Sequence, residues 1–218
     1  GAGWRAFDID PVKTRTASLA AVLEGATLVL SLVTADQALG VAEQASALIA
    51  PDTLFCDMNS VAPEMKKAAA AAIEAAGGRY VDVAIMAPVN PLRLAVPILL
   101  SGPHSDVGAA AMGDVGFTNV RVVGDDVGRA STIKMLRSVI YKGMEALTAE
   151  CLLACEKAGV TDEVLASFGD QWALDADYRL DRMLVHGLRR SAEMYESSQT
   201  LLSLGISPSL TEGTIEWQ

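Results

Sequence analysis

The sequence predicts an α/β half followed by an all-α half, with the change near Gly128. Up to that glycine, short runs rich in β-branched residues alternate with alanine-rich stretches, the signature of strand–helix–strand units. Beyond it, apolar residues recur at three- and four-residue spacing, with no strand-like run before the tail. Apolar runs such as Leu28-Val29-Leu30 suit strands covered on both faces, so a parallel sheet is expected.

Strands are expected at Trp4–Asp8, Thr27–Leu32, Thr53–Met58, Arg79–Ala84, Val96–Ser101 and Val120–Val123. Ser18–Glu24 reads as helical, and Gln37–Ile49 and Pro63–Ala76 are each long enough for a crossover helix. Ser60 and Pro63 signal the start of the second crossover, and Gly77-Gly78 its stop. In the second half, Ile133, Leu136, Ile140, Met144, Leu147, Cys151 and Ala154 follow helical spacing. Ser131–Gly159 is therefore one long helix, about 40 Å, stopped by Gly159 and expected to act as an organising axis. Thr161–Phe168, Ala173–Leu188 and Arg189–Leu204 continue as helix, and Gly205 supplies a further stop.

Of 218 residues, 51% are hydrophobic and 20% charged, which allows a real core and argues against disorder. A net charge of −10 repels a phosphate backbone, so no nucleic-acid partner is expected. Cys56, Cys151 and Cys155 resemble neither a disulfide framework nor a zinc site, and they read as reduced, buried thiols without a metal. Cys151 and Cys155 are i,i+4 neighbours on the long helix. No apolar run reaches the ~20 residues that span a bilayer, and no charged-then-apolar leader opens the sequence. The expectation is a cytoplasmic protein with no membrane partner.

A dinucleotide-binding fold opens with a strand and a glycine-rich turn that seats the pyrophosphate on a helix N-terminus. Gly1-Ala2-Gly3 follows no strand and opens no helix, so it is not read as that turn. A first βα unit is therefore expected to lie outside this stretch of chain. A further strand is wanting between Arg15 and Ser18, so residues near Thr16 are also expected to be lacking.

Five segments stand in an order that carries a resemblance: Phe7-Asp8-Ile9-Asp10-Pro11, Ser31-Leu32-Val33-Thr34, Asp57-Met58-Asn59-Ser60-Val61-Ala62-Pro63, Val81-Asp82-Val83-Ala84 and Gly128-Arg129-Ala130-Ser131-Thr132-Ile133-Lys134. Over nearly its whole length the chain resembles the β-hydroxyacid dehydrogenases, which include 3-hydroxyisobutyrate, tartronate-semialdehyde and 6-phosphogluconate dehydrogenases. The segments look like the end of that family's second strand, the loop after its fourth, its D-x-S-T-x-x-P segment, the start of its substrate loop and its glycine-to-lysine segment. Lys134-Met135-Leu136-Arg137-Ser138 and His186-Gly187-Leu188-Arg189-Arg190 look closest to a phosphogluconate dehydrogenase-like subgroup. The resemblance implies a Rossmann-type NAD(P)-binding domain over 1–128, incomplete at its N-terminus, and a helical substrate and dimerisation domain over 129–218. It also implies hydride transfer between a nicotinamide cofactor and a small hydroxy acid of the 3-hydroxy-acid or sugar-acid type.

Oxidising a hydroxyl requires a group that takes its proton while hydride leaves the same carbon. Lys134 matches the family's catalytic lysine. Most lysines are solvated, but this one sits in the first turn of the long helix beside Ile133, Met135 and Leu136, where the helix dipole favours the neutral amine. Where the family has a substrate-binding asparagine four residues on, this chain has Ser138, on the same face but with a shorter reach. The family's serine and two glycines in the substrate loop are replaced by Ile85-Met86-Ala87-Pro88-Val89-Asn90-Pro91, where the prolines remove donors and Asn90 is left as the polar contact.

Asp8, after the expected second strand, would accept from the adenosine ribose hydroxyls and repel a 2′-phosphate, which favours NAD and leaves NADP as the second choice. Val33 and Thr34 match positions on the nicotinamide side. Asn59 and Ser60 lie at the next strand's C-terminal edge, as cofactor contacts or as a plain helix cap. His186 and Arg189 read either as an anion contact closing on the substrate or as structural groups, with the Arg189-Arg190 pair bound to Glu193 or Glu196. Met135, Val139, Ala146 and Leu153 lie off the main apolar stripe, so the long helix needs cover on most faces and a homodimer is expected. Two alternatives remain: a non-catalytic, cofactor-binding helical dimer, and an imine-reductase-like enzyme of the same architecture.

Overall fold

The structure, a computed structural model, describes residues 3–10, 12–14, 16 and 18–218, the side chains of Asp170, Ala173 and His186 excepted. The chain divides into two compact units, Gly1–Thr132 and Ile133–Gln218.

The first unit is built on a five-stranded sheet in the order β1 (Leu28–Ser31), β2 (Leu54–Asp57), β3 (Arg79–Ile85), β4 (Ile98–Ser101), β5 (Val120–Val122). Helices α1 (Leu19–Leu23), α2 (Ala38–Ser46), α3 (Pro63–Ala75) and α4 (Ser105–Val115) accompany it. β1, β2 and β3 are parallel, with Leu28 opposite Leu54 and Leu54 opposite Arg79. β2 and β3 are buried on both sides, and the apolar runs Leu54-Phe55-Cys56 and Val83-Ala84-Ile85 suit that cover. Leu54, Cys56, Val81 and Val83 point into one core with Met112 of α4, while Phe55 and Tyr80 point into another with Ala42, Ala45, Ala69 and Ile73 of α2 and α3. Successive strand residues alternate faces, so these two clusters are the two sides of one sheet.

Two expectations are corrected, and one helix is added. β4 runs antiparallel to β3, with Asp82 opposite Ser101 and Ile85 opposite Ile98. A parallel return needs a crossover, usually a helix; here the connection holds only a short 3₁₀ turn at Arg93–Ala95, and Met86 N–H donates to Pro97 O at 2.9 Å like the neck of a hairpin. Trp4–Asp8 forms no strand: a strand exists through its ladder, this segment pairs with no member of the sheet, and Trp4 is 87% exposed. Helix α4 was not expected, because Gly108 and Gly113 dilute its helical signal. Gly108 is there for contact, since a Cβ would lie 3.0 Å from Val81 of β3.

In the second unit, α5 (Arg129–Ala158, its first turn belonging to the sheet unit), α6 (Thr161–Phe168), α7 (Asp170–Ser203) and α8 (Ser209–Trp217) follow one another. The two late helices expected from spacing are one continuous helix through Gly187, and the tail is helical. Gly159 and Gly205 stop α5 and α7 with φ of 71° and 74°, a conformation glycine adopts without penalty. No described helix is long and apolar enough to cross a membrane.

Gly128, just before α5, has φ of 94°, and a Cβ there would lie 2.9 Å from Pro63 Cβ and 3.2 Å from Pro63 O. Both the dihedral and the close approach demand glycine. Gly128→Ala should cost about 1–3 kcal/mol in urea unfolding of the sheet unit. A midpoint equal to wild type would contradict this packing.

Candidate functional site

In an open α/β sheet ligands bind beyond the C-terminal ends of the parallel strands. At that edge β1 ends at Ser31, β2 at Asp57 and β3 at Ile85. The loops leaving them carry most of the cofactor and substrate candidates of this unit: Val33 and Thr34 after β1, Asn59 and Ser60 after β2, Asn90 after β3.

Asn59 ties the first two loops together. Its Nδ2 donates to Ser31 Oγ at 3.0 Å, its Oδ1 accepts from Val33 N–H at 2.6 Å, and its own N–H donates to Asp57 Oδ1 at 2.9 Å. The side chain is thus a bridge that sets the course of the Leu32–Thr34 segment. Leu32 and Val33 are exposed beside it. Thr34 hydrogen-bonds Asp36, which with Gln37 holds the Asp36 carboxyl below its ordinary range, Gln37 contributing more. Ser60 is partly buried. Asn90 and the following Pro91, Leu92 and Arg93 are exposed, and Arg93 takes φ of 52°, unusual for a side-chain-bearing residue.

Asp8 stands apart from this cluster in its bonding. It sits in a loop of its own, with Oδ1 accepting from Asp10 N–H at 2.8 Å, Oδ2 3.5 Å from Lys13 Nζ, and its N–H donating to Thr14 Oγ1 at 3.2 Å. The Asp10 amide first, and then Lys13, hold its carboxyl below the ordinary range.

Beneath the β2 loop lies a group of residues that sequence reasoning missed. Lys66 is fully buried, with Nζ 2.9 Å from Asp57 Oδ1, 2.6 Å from Asp57 O and 3.5 Å from Asp82 Oδ1. Tyr80 donates its hydroxyl to Asp57 Oδ2 at 2.7 Å. Burial, then the charges of Asp57 and Asp82, push the Tyr80 phenol well above its ordinary range. Lys66 shares the covered face of α3 with Ala69, Ala70 and Ile73, so its place in an apolar stripe was the available signal.

In the helical unit, Lys134 and Ser138 lie one turn apart on α5, both partly buried. Arg189 lies on α7, exposed, 3.8 Å from Glu193 Oε1. His186 is on the same helix, but its side chain falls outside the described residues. Glu193 is the shared counter-ion of this unit. Lys142 Nζ is 2.7 Å from its Oε2, and Lys134 and Arg189 add weaker attraction. Burial pushes the Glu193 carboxyl up, but these cations outweigh it and hold the group below its usual 4.5. Arg190, expected on Glu193 or Glu196, is instead buried on Glu145, and Gln218 Nε2 reaches the same carboxylate at 3.2 Å. Among the described residues, no cluster of His, Cys, Asp and Glu is arranged to hold a metal ion.

Residues 156–218 match a family described as a domain of unknown function, DUF1932. A conserved hypothetical protein from Sinorhizobium meliloti is 39% identical over 87% of this chain, with a TM-score of 0.74. The chain spans 65% of that protein's length. The conserved protein MTH1747, of unknown function and structurally similar to 3-hydroxyacid dehydrogenases, is 32% identical over 86% of this chain and 72% of its own, with a TM-score of 0.71. An uncharacterized 28.5 kDa protein of Methanothermus fervidus is 26% identical over 88% of this chain and 75% of its own. At the level of fold alone, the chain is similar to the Mycobacterium tuberculosis 3-hydroxyisobutyrate dehydrogenase solved with L-serine (15% identity over 97% of this chain and 82% of that one, TM-score 0.74). It is likewise similar to the Aspergillus terreus reductive aminase solved with NADPH and ethyl levulinate (20% identity over 92% and 75%, TM-score 0.56).

The depressed Glu193 carboxyl has a consequence for stability. A lowered folded-state value means that its ion pairs contribute fully above the unfolded value of 4.5 and are lost as pH falls through the folded one. Glu193→Gln should therefore flatten the loss of thermal stability of the helical unit between about pH 5 and about pH 3. Wild type and variant losing stability in parallel over that window would show that Glu193 is not the group titrating.

Proposed function

The chain belongs to the family of the conserved protein MTH1747, similar in structure to the 3-hydroxyacid dehydrogenases, and on that premise we propose that it is a nicotinamide-dependent oxidoreductase. Its substrate is a small hydroxy acid, and Lys134 moves the hydroxyl proton. The observation that carries this reading is the C-terminal edge of β1–β3, where Asn59 holds the Val33 loop in a fixed course. Such an edge is where open α/β sheets take dinucleotides.

A nicotinamide cofactor suits the chemistry of this edge. Leu32 and Val33 present an exposed apolar surface for a flat ring, and Thr34 and Ser60 bring hydroxyls. When bound, the cofactor supplies the hydride acceptor or donor. Asp8 is offered to the ribose hydroxyls, but Lys13 beside it offsets the charge that would turn away a 2′-phosphate, so both NAD and NADP are carried into the test. On the substrate side, Lys134 takes the proton from the hydroxyl oxygen and returns it in the reverse direction. Ser138, one turn on, hydrogen-bonds the substrate, Asn90 contacts it from the β3 loop, and His186 and Arg189 meet its anionic end. The likeness in fold to a reductive aminase favours imine reduction as a second reading; Lys134, a residue type able to take a hydroxyl proton, supports the alcohol.

The test is a screen of 3-hydroxyisobutyrate, L-serine and sugar acids with NAD⁺ and NADP⁺, followed at the absorbance of the reduced cofactor. Lys134→Ala should lower kcat by about 10²–10⁴-fold with cofactor affinity little changed, as loss of acid/base catalysis does. A variant retaining most of its kcat would remove Lys134 from the mechanism.

The helical unit is proposed to pair with a second copy. Leu174, Tyr178, Val185, Leu188, Tyr195 and Leu202 of α7 are exposed at heptad spacing, Leu188 by 93%, and Ile140, Met144 and Leu147 of α5 are exposed as a second stripe. A seam of that period fits another helix, and a twofold copy is the commonest partner. Light scattering at micromolar concentration should give the mass of a dimer. An active monomer would overturn the pairing.

A further inference from the structure

The buried charges of the sheet unit do not balance among themselves. Asp57 and Asp82 are 1% and 0% exposed and face one ammonium, that of Lys66. Asp57 takes the nearer share of it at 2.9 Å, together with the Tyr80 hydroxyl and the Asn59 amide. Asp82 is left 3.5 Å from Lys66 Nζ, and a half-compensated carboxylate in an apolar interior is costly. What completes its shell is the start of α5. Ser131 N–H donates to Asp82 Oδ2 at 3.0 Å and Ser131 Oγ–H to Oδ1 at 2.7 Å. Ala130 N–H donates to Ser101 Oγ at 3.0 Å, and that hydroxyl donates to Asp82 Oδ2 at 3.1 Å. Two first-turn amides of the helix thus run to one carboxylate, directly or through one hydroxyl. A helix N-terminus carries about half a positive charge on such amides, which is the sign Asp82 lacks.

The arrangement fixes rotation as well as place. Ser131 gives both its N–H and its O–H to the same carboxylate; turning α5 by one residue, 100° about its axis, would offer Ala130 or Thr132 instead and break that pair. Lys134 follows Ser131 by three residues on the same helix, close to the same face.

We propose that Asp82 is a positioning residue for the reaction assigned to Lys134, holding the first turn of the lysine's helix on the sheet through Ser131 and Ser101. This rests on the functional reading above. It assigns Asp82 a duty distinct from general stability: the geometry of the helix that carries the proton-transfer group.

The experiment uses the full chain with Asp82→Asn and Ser131→Ala, 3-hydroxyisobutyrate and L-serine as probe substrates, and amide hydrogen exchange at Ala130 and Ser131. Asp82→Asn keeps the shape and removes the charge; it should speed exchange at both amides at least about tenfold and lower kcat by about 10–100-fold, as a small misplacement does, with KM within about twofold. Ser131→Ala should move both readouts in the same direction by less, and it keeps the proposal falsifiable if Asp82→Asn fails to fold. Unchanged exchange, or faster exchange with kcat intact, would overturn the proposal while wild-type turnover leaves the functional reading standing. A wild type that turns over neither these probes nor the sugar acids, with either cofactor, would bring down the functional reading and the proposal with it, an outcome distinct from the other two.

Discussion

An ammonium group and two carboxylates in an apolar interior each cost several kcal/mol unless their partners are in place, and the sheet unit is arranged so that they are. Lys66 comes from α3, Asp57 from β2, Asp82 and Tyr80 from β3, Ser101 from β4, and Ser131 from the first turn of α5. No two of these elements can shift without leaving a charge or a hydroxyl unpaired, so the cluster specifies their register more sharply than the apolar contacts around it. Its field reaches its neighbours as well. Cys56, one residue before Asp57, has its thiol pushed up to about 12, by burial first and then by the Asp57 charge, with Lys66 opposing. It is therefore an inert packing group in the folded protein. The Asn59 bridge that sets the Val33 loop is an outgrowth of the same cluster, through its amide on Asp57.

The helical unit solves the same problem separately. Lys142 meets Glu193, Glu145 meets Arg190, and the signs alternate along both α5 and α7. Gln218 joins in from the end of α8, donating to Glu145 and accepting from Arg190. Buried pairs of this kind add little net stability against apolar packing, but a single mismatch is expensive. Here they serve to fix how three helices, much of whose remaining surface is small or exposed, lie against one another.

Much of this was legible in the sequence and the rest was not, for identifiable reasons. β2 was readable because a strand covered on both faces leaves an unbroken apolar run, Leu54-Phe55-Cys56, whereas the apolar run of β1 marks a strand only partly covered. The direction of β4 was not, since periodicity records which residues are buried and not which way the chain runs. Helix α4 was hidden by glycines that serve close packing. Lys66 is hard to tell from an ordinary helix lysine because charge suggests solvent, although its place in line with Ala69, Ala70 and Ile73 points inward. The order of motifs singled out Val33, Asn59 and Lys134 as candidates. It could not reveal that Asn59 holds Val33, a bond between residues 26 apart in the chain, nor that Glu193 serves Lys142, Lys134 and Arg189 together. Trp4–Asp8 has strand-like composition, but a strand is made by its neighbours.

The antiparallel pairing of β3 and β4 bears on how such a protein diversifies. Parallel neighbours are joined by helices that also roof the sheet, so a change of length there disturbs the core. The stretch from Pro88 to Arg93 has no such duty: the segment leaves β3 at the C-terminal edge of the parallel strands, turns through exposed Asn90, Leu92 and Arg93, and sends only its flanks, Ala87 and Val96, back into the core. Lengthening or shortening a loop with fixed ends changes closure entropy by only about 0.6 kcal/mol per doubling. Sequence change can therefore rewrite the exposed stretch residue by residue, while the crossovers and the buried charges that hold the scaffold stay as they are.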